Sequence, residues 1–350
     1  MDESSEKPRR RPRYAGRNPR NFQDKYKEHQ PEKYPDDIRR IVEAGKTPAG
    51  MHRPIMVDDV MQVLALSPGE TVVDCTLGYG GHASAMLKAI QPGGCFLGVD
   101  ADPIELPKTE ARLRSLVAPD ASIHLRRMNF AGISNFLATA APDGVDAVLV
   151  DLGCSSMQLD DPTRGFSFKY DGPLDMRMNP TRGVAASELL TSLSHMELEA
   201  MLVENSDEPH ANRIATAILR MHRKVKIAST LTLANIVRQQ MRDLGEEELD
   251  RTVRRVFQSL RIAVNAEFQS LDAFLAQIPY LLKKGGRVAM ISFHSGEDRR
   301  VKAAFKAGFE SGCYSSVSKE IIRPTFEEQQ SNPRSKSAKL RFAIRSATGL

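Results

Sequence analysis

Thr71-Val-Val-Asp-Cys-Thr-Leu-Gly-Tyr-Gly-Gly-His82 is the stretch from which the fold can be read. A β-branched apolar run ends in Asp74, and Gly78, Gly80 and Gly81 follow before a helical pattern from Ala83 to Ile90. Glycines let a backbone approach a ligand and take up positive φ, and a turn of this kind opens onto a helix N-terminus. The next apolar run, Cys95-Phe-Leu-Gly-Val-Asp100, ends in a carboxylate 22 residues after Gly78. At that spacing an acid meets ribose hydroxyls. Together the two runs point to an adenosine-containing cofactor.

Outward from this unit, strand and helix alternate strictly. The spacing predicts a helix over 57–66, strands over 71–76, 95–100, 122–126 and 147–151, and helices over 81–91, 103–116 and 133–138. The strands lack polar alternation, as expected of a parallel sheet covered on both faces. After Asp151 the alternation stops. A Gly- and Asp-rich loop over 153–182 leads into a helical stretch over 186–260, where Ser194-x-x-Glu197 reads as a capping box. The sheet pattern resumes with a helix over 271–282, strands over 287–293 and 339–345, and a helix from about Asp298. The expected fold class is α/β, a Rossmann-like sheet domain over 51–155 and 270–350 carrying an inserted loop and all-helical domain over 156–269.

The glycine turn lacks the third glycine of G-x-G-x-x-G, with Ser84 and Ala85 following instead. A pyrophosphate needs that close cradle, whereas S-adenosylmethionine presents a methionine carboxylate and amine, so the latter fits better. Asp100 can accept from both ribose hydroxyls, while Asp102 before Pro103 is placed to cap the next helix. Phe130 lies where it can pack on adenine or serve as a core aromatic. Asp151 ends the fourth strand at the carboxyl edge of the sheet, where open α/β folds bind ligands. Beyond it, Phe166, Phe168 and Tyr170 interleave with Arg164, Lys169 and Arg177, a mix suited to stacking on bases and pairing with phosphates or to an ordered structural loop. In the helix over 251–264 the arginines, Arg254 among them, lie mostly off the apolar stripe, as a solvated or a phosphate-facing surface.

Composition narrows the class. The chain has 350 residues and a net charge of +5, and the first 50 residues hold 13 basic against 9 acidic side chains, four of those five charges. Seven Lys and Arg lie between Lys7 and Arg20 with no acid among them. Such an arm is expected to be disordered and can add phosphate affinity or simply solubility. The four cysteines are scattered without C-x-x-C spacing, which argues against structural zinc or disulfides, and no metal is expected. The absence of an apolar signal region or membrane-length run leads us to expect a soluble, cytoplasmic protein.

Several segments resemble the bacterial RsmH (MraW) 16S ribosomal RNA cytosine-N4 methyltransferases. They are His52-Arg-Pro-Ile-Met56, Gly78-Tyr-Gly-Gly-His82, Asp151-Leu-Gly-Cys-Ser-Ser-Met-Gln158, Arg164-Gly-Phe-Ser-Phe168, Gly172-Pro-Leu-Asp-Met-Arg-Met178, Phe257-Gln-Ser-Leu-Arg-Ile-Ala-Val-Asn265, Ile291-Ser-Phe-His-Ser295 and Asn332-Pro-Arg-Ser-Lys-Ser-Ala-Lys-Leu-Arg341. The resemblance implies an S-adenosylmethionine-dependent enzyme that methylates N4 of a cytidine in the decoding centre of 16S ribosomal RNA, within the small ribosomal subunit. It implies cofactor contacts at Gly78, Gly80, Gly81, His82, Asp100, Phe130, Asp151 and Gln158. Arg164, Phe166, Phe168, Arg177 and Arg254, read above from the residue pattern, are then the candidate RNA contacts, and the resemblance suggests that the inserted helices help hold the RNA. Asp151 is the nearest equivalent of an amine-methylating acid, with His294 and Asn265 as further candidates for contacting the base. Members commonly carry Val and Pro where Cys154 and Met157 stand here. The oligomeric state stays open, a dimer included. Rival classes are methyl transfer to a small molecule or protein, an RNA-binding factor without turnover, and nicotinamide-dependent oxidoreduction.

Overall fold

The computed structural model describes residues 54–347. The basic arm over 1–50 and the expected start of the fold at His52 lie outside them. α1 (Val57–Leu64) precedes β1 (Thr71–Asp74), α2 (Gly81–Ile90), β2 (Cys95–Asp100), α3 (Leu106–Arg114), β3 (Ser122–Arg127), α4 (Ile133–Ala140) and β4 (Val145–Asp151). β5 (Leu282–Ser292), α12 (Ser295–Glu310), β6 (Tyr314–Val317), α13 (Phe326–Ser331) and β7 (Lys339–Arg345) complete the sheet region. The strands form one seven-stranded sheet in the order β3-β2-β1-β4-β5-β7-β6, with β1 to β5 parallel and β7 antiparallel to both neighbours. This is the Rossmann-like architecture expected from the alternation.

Two apolar layers sandwich the sheet. One gathers Val73, Leu97, Val148 and Met290 against Phe136 and Phe274; the other gathers Val72, Phe96, Leu149 and Ile291 against Met86, Leu87 and Ile90. Neighbouring strand residues go to opposite layers, which is why the strands read as continuous apolar runs. The Lys284-Gly-Gly286 stop signal sits within β5. Val145 pairs Leu282 and Ala147 pairs Arg287, so the ladder shifts register there and Gly285 turns at φ 75°. β6, the antiparallel edge, escaped the sequence pattern because Tyr314–Val317 is short and only Tyr314 is buried.

Between β4 and β5 lie α5 (Ser156–Asp160), α6 (Ala186–Ser192), α7 (His195–Ser206), α8 (Ala211–His222), α9 (Thr230–Gln240), α10 (Glu246–Asn265) and α11 (Glu267–Leu281). Helices α6 to α10 enclose their own core, including Leu198, Leu202, Ile214, Ile218, Leu233, Val237, Val256 and Leu260. The capping box at Ser194 forms as the sequence predicts, with Ser194 and Glu197 exchanging side-chain and backbone bonds. At the junction, Arg261 donates to both oxygens of Glu267 at 2.8 and 2.9 Å and approaches the Cys154 sulfur at 3.4 Å, joining α10 to the chain leaving β4.

Candidate active site

β1, β2 and β4 end in Asp74, Asp100 and Asp151 along one edge of the sheet. The chain runs outward from β1 through β2 to β3, then returns to β4 on the other side of β1, so Asp74 and Asp151 flank the point where the topology reverses. Open α/β sheets bind ligands in the crevice outside that point. Thr76 ties the two acids together. Its main-chain N–H donates to Asp74 Oδ1 at 3.0 Å, and its hydroxyl accepts from the Asp151 N–H at 2.6 Å.

These carboxyls are held against ionisation. Burial pushes Asp151 up to about 8, with Asp74 and Glu297 adding like charge. Burial also raises Asp74 to about 7, and raises Asp100 to about 6 although the Asp102 and Gly78 N–H groups favour its anion. Asp151 Oδ1 is buried and accepts no hydrogen bond. Its Oδ2 lies 3.8 Å from His82 Nδ1. His82 is buried in the first turn of α2, which lowers its pKa to about 4, and its Nε2 lies 2.9 Å from the Ile55 carbonyl. A carbonyl only accepts, so Nε2 carries the proton and Nδ1 turns a lone pair towards Asp151. His82 thus packs beside the Asp151 carboxyl without a hydrogen bond to it.

The glycine turn is clamped from α3. Thr109 donates to the Gly78 carbonyl at 2.7 Å, and the Arg112 guanidinium sits 3.5 Å over the Tyr79 ring while donating to the Tyr79 carbonyl at 2.6 Å. Gly80 caps α2 at φ 79°, and a Cβ there would come within 2.8 Å of the Thr109 methyl. Asp100 closes the turn from β2 by accepting from the Gly78 N–H at 2.6 Å and the Asp102 N–H at 2.7 Å. A carboxylate has about four acceptor positions, so two remain for a vicinal diol. Gly81 begins α2 beside this turn, and Phe130 follows β3, half-buried and edge-on to Phe274 at 5.5 Å.

Other residues singled out in the sequence are committed to the fold. Gln158 accepts from the Ser155 N–H and donates to Asp102 Oδ2 at 2.8 Å, so its amide braces the loop after β4 instead of standing open to a cofactor. Asp102 also caps Ile104 and receives the buried Arg164 at 2.9 Å. Arg164 also donates from its other terminal nitrogen to the Arg177 and Met178 carbonyls, so this buried side chain is tied into the fold. Arg177 forks onto Asp175, Phe166 is buried in the helical core, and Phe168 packs edge-on against Phe257 at 5.1 Å. Asn265 accepts from the Met178 N–H and donates to the Met176 and Arg261 carbonyls, so it straps the loop and does not present itself to a base. The aromatic–basic pattern reads identically for base stacking and for a satisfied loop, and the partners that decide between them are distant in sequence. Arg254 alone of the five RNA candidates stays exposed, with Asp250 at 3.8 Å as its ion-pair neighbour.

His294 is the N-cap of α12 and leans on Glu297, with Nδ1 accepting from the Glu297 N–H at 3.4 Å and Nε2 lying 3.2 Å from Oε1. Burial opposes ionisation of Glu297, but His294, Arg261 and the Phe293 N–H outweigh it and hold the acid below its ordinary value. Ligand atoms of Glu267, His294 and Glu297 lie within 4.8 Å of one another. Arg261 already neutralises Glu267, so the trio is charge-compensated. Residue-by-residue reading passed over Asp74 as a site residue, and gave Asp102 its capping place but not its pairing with Arg164 and Gln158. Asp74 carries the same signal as Asp151, an acid ending an apolar strand. Among the described residues, no helix is long and apolar enough to cross a membrane.

The profile of the MraW methylase family matches residues 49–346. The ribosomal RNA small subunit methyltransferase H 1 of Lachnoclostridium phytofermentans is 46% identical over 342 residues, which cover 96% of this chain and 93% of that protein. The ribosomal RNA small subunit methyltransferase H 2 of Alkaliphilus metalliredigens is 45% identical over 350 residues, covering 99% of this chain and 100% of that protein.

Proposed function

The chain belongs to the MraW methylase family, and from that premise we propose that it methylates the N4 amine of a cytidine in the decoding centre of 16S ribosomal RNA, acting in the cytoplasm. The observation that carries this reading is the row Asp74, Asp100 and Asp151, with Asp151 Oδ1 buried and unpartnered at the topological switch point. Acids whose ionisation burial opposes have little to gain beside a phosphate. Beside a cation they ionise and bind it. S-adenosylmethionine carries a sulfonium and an ammonium, and it supplies an electrophilic methyl group. The residues present fit it: Asp100 has acceptor positions left for the ribose hydroxyls, the Gly78–Gly81 turn allows close backbone approach, and Phe130 offers a ring face at the edge of the sheet.

For the reaction itself the chain must hold a weakly nucleophilic amine in line and take up hydrogen-bond donation as charge builds on it. Asp151 Oδ1 is the acceptor placed to do so, while the Thr76 hydroxyl holds the Asp151 main-chain N–H and His82 packs beside the other carboxyl oxygen. The target base has to be presented unpaired, as for any enzyme working on an exocyclic base amine. The helices α6 to α10, with Arg254 exposed on α10, are a second surface for holding the RNA.

Mass-spectrometric mapping of small-subunit ribosomal RNA from a strain lacking the protein tests the reading. One cytidine should lose an N4 methyl group, and purified protein should restore it; an unchanged map would refute the assignment. Asp100→Ala should weaken S-adenosylmethionine binding in calorimetry, and unaltered affinity would remove Asp100 from the ribose.

A further inference from the structure

The chain entering β7 crosses the same sheet edge as the three acids. Asp151 pairs with Ile291, Ile291 pairs with Leu340, and Lys339 is the next residue outward, opposite Ser292. Two strand spacings separate β4 from β7, so Lys339 lies roughly 10 Å from the Asp151 row. The segment before it is tied down at three points. Ile322 forms an antiparallel bridge with Leu340 on the far side of β7, Arg334 donates to Asp160 in the loop after β4 at 2.7 Å, and Glu328 accepts from the Met56 N–H at 2.7 Å. It is a built wall of the crevice.

Its charge is unbalanced. An antiparallel bridge of Ile322 to Leu340 sets Arg323 directly opposite Lys339, and like charges so placed are destabilising. Burial lowers the Lys339 pKa; the more distant Asp298 and Glu297 carboxylates oppose this, while Arg323 and Arg341 add to it. Lys336 is exposed one turn before β7. Among the described residues, none of Arg323, Lys336 and Lys339 lies within ion-pair distance of a carboxylate, and from Ser331 to Leu350 the chain has five basic residues and no acid. The cations of the inserted helices contrast with this, since Arg213, Lys226, Arg251 and Arg255 each face an acid. A like-charge pair kept beside a catalytic crevice, with carboxylates acting on it only from beyond ion-pair distance among the described residues, leaves room for an external anion. The two arginines of the loop over 164–177 are less available for this, because both are already paired with acids.

We infer that the wall formed by Arg323, Lys336 and Lys339 grips the phosphate backbone of the RNA beside the base being modified. The inference rests on the ribosomal RNA reading above. The test compares wild type with Arg323→Gln/Lys336→Gln/Lys339→Gln, and with the milder Arg323→Gln/Lys336→Gln, whose two sites are exposed. Binding to a small-subunit ribosomal RNA fragment is measured as a function of salt, and S-adenosylmethionine binding by calorimetry. Each lost phosphate contact takes about 0.7–0.9 off the slope of log K against log salt, so the triple variant should lose roughly 2–3 and the double roughly 1.5–2. Cofactor affinity should be unchanged. Lys284→Gln, at the start of β5 and the opposite sheet edge, should leave the slope as in wild type. If both variants keep the wild-type slope while the wild type methylates the RNA, the wall is wrong and the reading survives. If the wild type neither binds nor methylates ribosomal RNA, both fall together.

Discussion

The sheet edge at Asp74, Asp100 and Asp151 and the loop over 161–178 are equally rich in charged residues, yet they treat charge in opposite ways. In the loop both arginines are paired with acids: Arg177 with Asp175 inside it, Arg164 with Asp102 just after β2. Even the backbone is interlocked, since a Cβ on Gly172 would sit 1.9 Å from the Pro162 carbonyl oxygen. At the sheet edge three acids crowd together, all raised by burial, with a neutral histidine as neighbour and one carboxyl oxygen unbonded. Between these two regions, compensated charge goes with structure and buried, uncompensated charge goes with the candidate site. The wall at Arg323 and Lys339 falls in the second class with the opposite sign.

Substitutions can break that distinction. The largest expected effect is Asp151→Asn, which should slow methyl transfer about 10²–10⁴-fold while leaving the melting temperature equal or higher. A cooperative loss of stability instead would place Asp151 among the structural charges. Arg164→Ala should do the reverse and destabilise the fold by about 3–5 kcal/mol, because Asp102 would remain buried without its partner; chemical denaturation measures this. Asn265→Ala leaves the Met178 N–H and the Met176 carbonyl unpaired and should cost about 1–3 kcal/mol in the same assay. Arg254→Ala, exposed and weakly paired, should stay within about 0.5 kcal/mol, its effect confined to RNA affinity.

Proton linkage sharpens the contrast without a substrate. A carboxyl raised in the folded state stabilises the fold below its unfolded pKa and loses that contribution as pH climbs through the folded value. Asp100, Asp74 and Asp151 should therefore make the ligand-free protein less stable between about pH 4 and 8. His82, lowered to about 4, acts the other way up to its ordinary value near 6.5. The net fall should thus be clearest between about 6.5 and 8, and Asp151→Asn should flatten its upper part in a series of melting curves.

Much of this was legible in residue order. Strand runs, glycine turn and strand-terminal acids are local signals: backbone sterics and burial on both sheet faces act within a few residues, and so Thr71–Asp74, Cys95–Asp100 and Val145–Asp151 announce themselves. The acids at 100 and 151 could be named for the same reason, since a strand's end lies at the sheet's edge wherever the sheet is. Partnership could not be read this way. Whether Arg164 meets a phosphate or Asp102, whether Asn265 faces a base or the Met178 N–H, and whether Lys339 has a counter-ion depend on segments 62, 87 and more residues apart. Residue order alone determined all but one strand of the sheet, its glycine turn and the acids at 100 and 151. Only tertiary packing decided which charges are spent internally, because a hydrogen bond's worth depends on what lies within about 3 Å and not on what comes next in the chain.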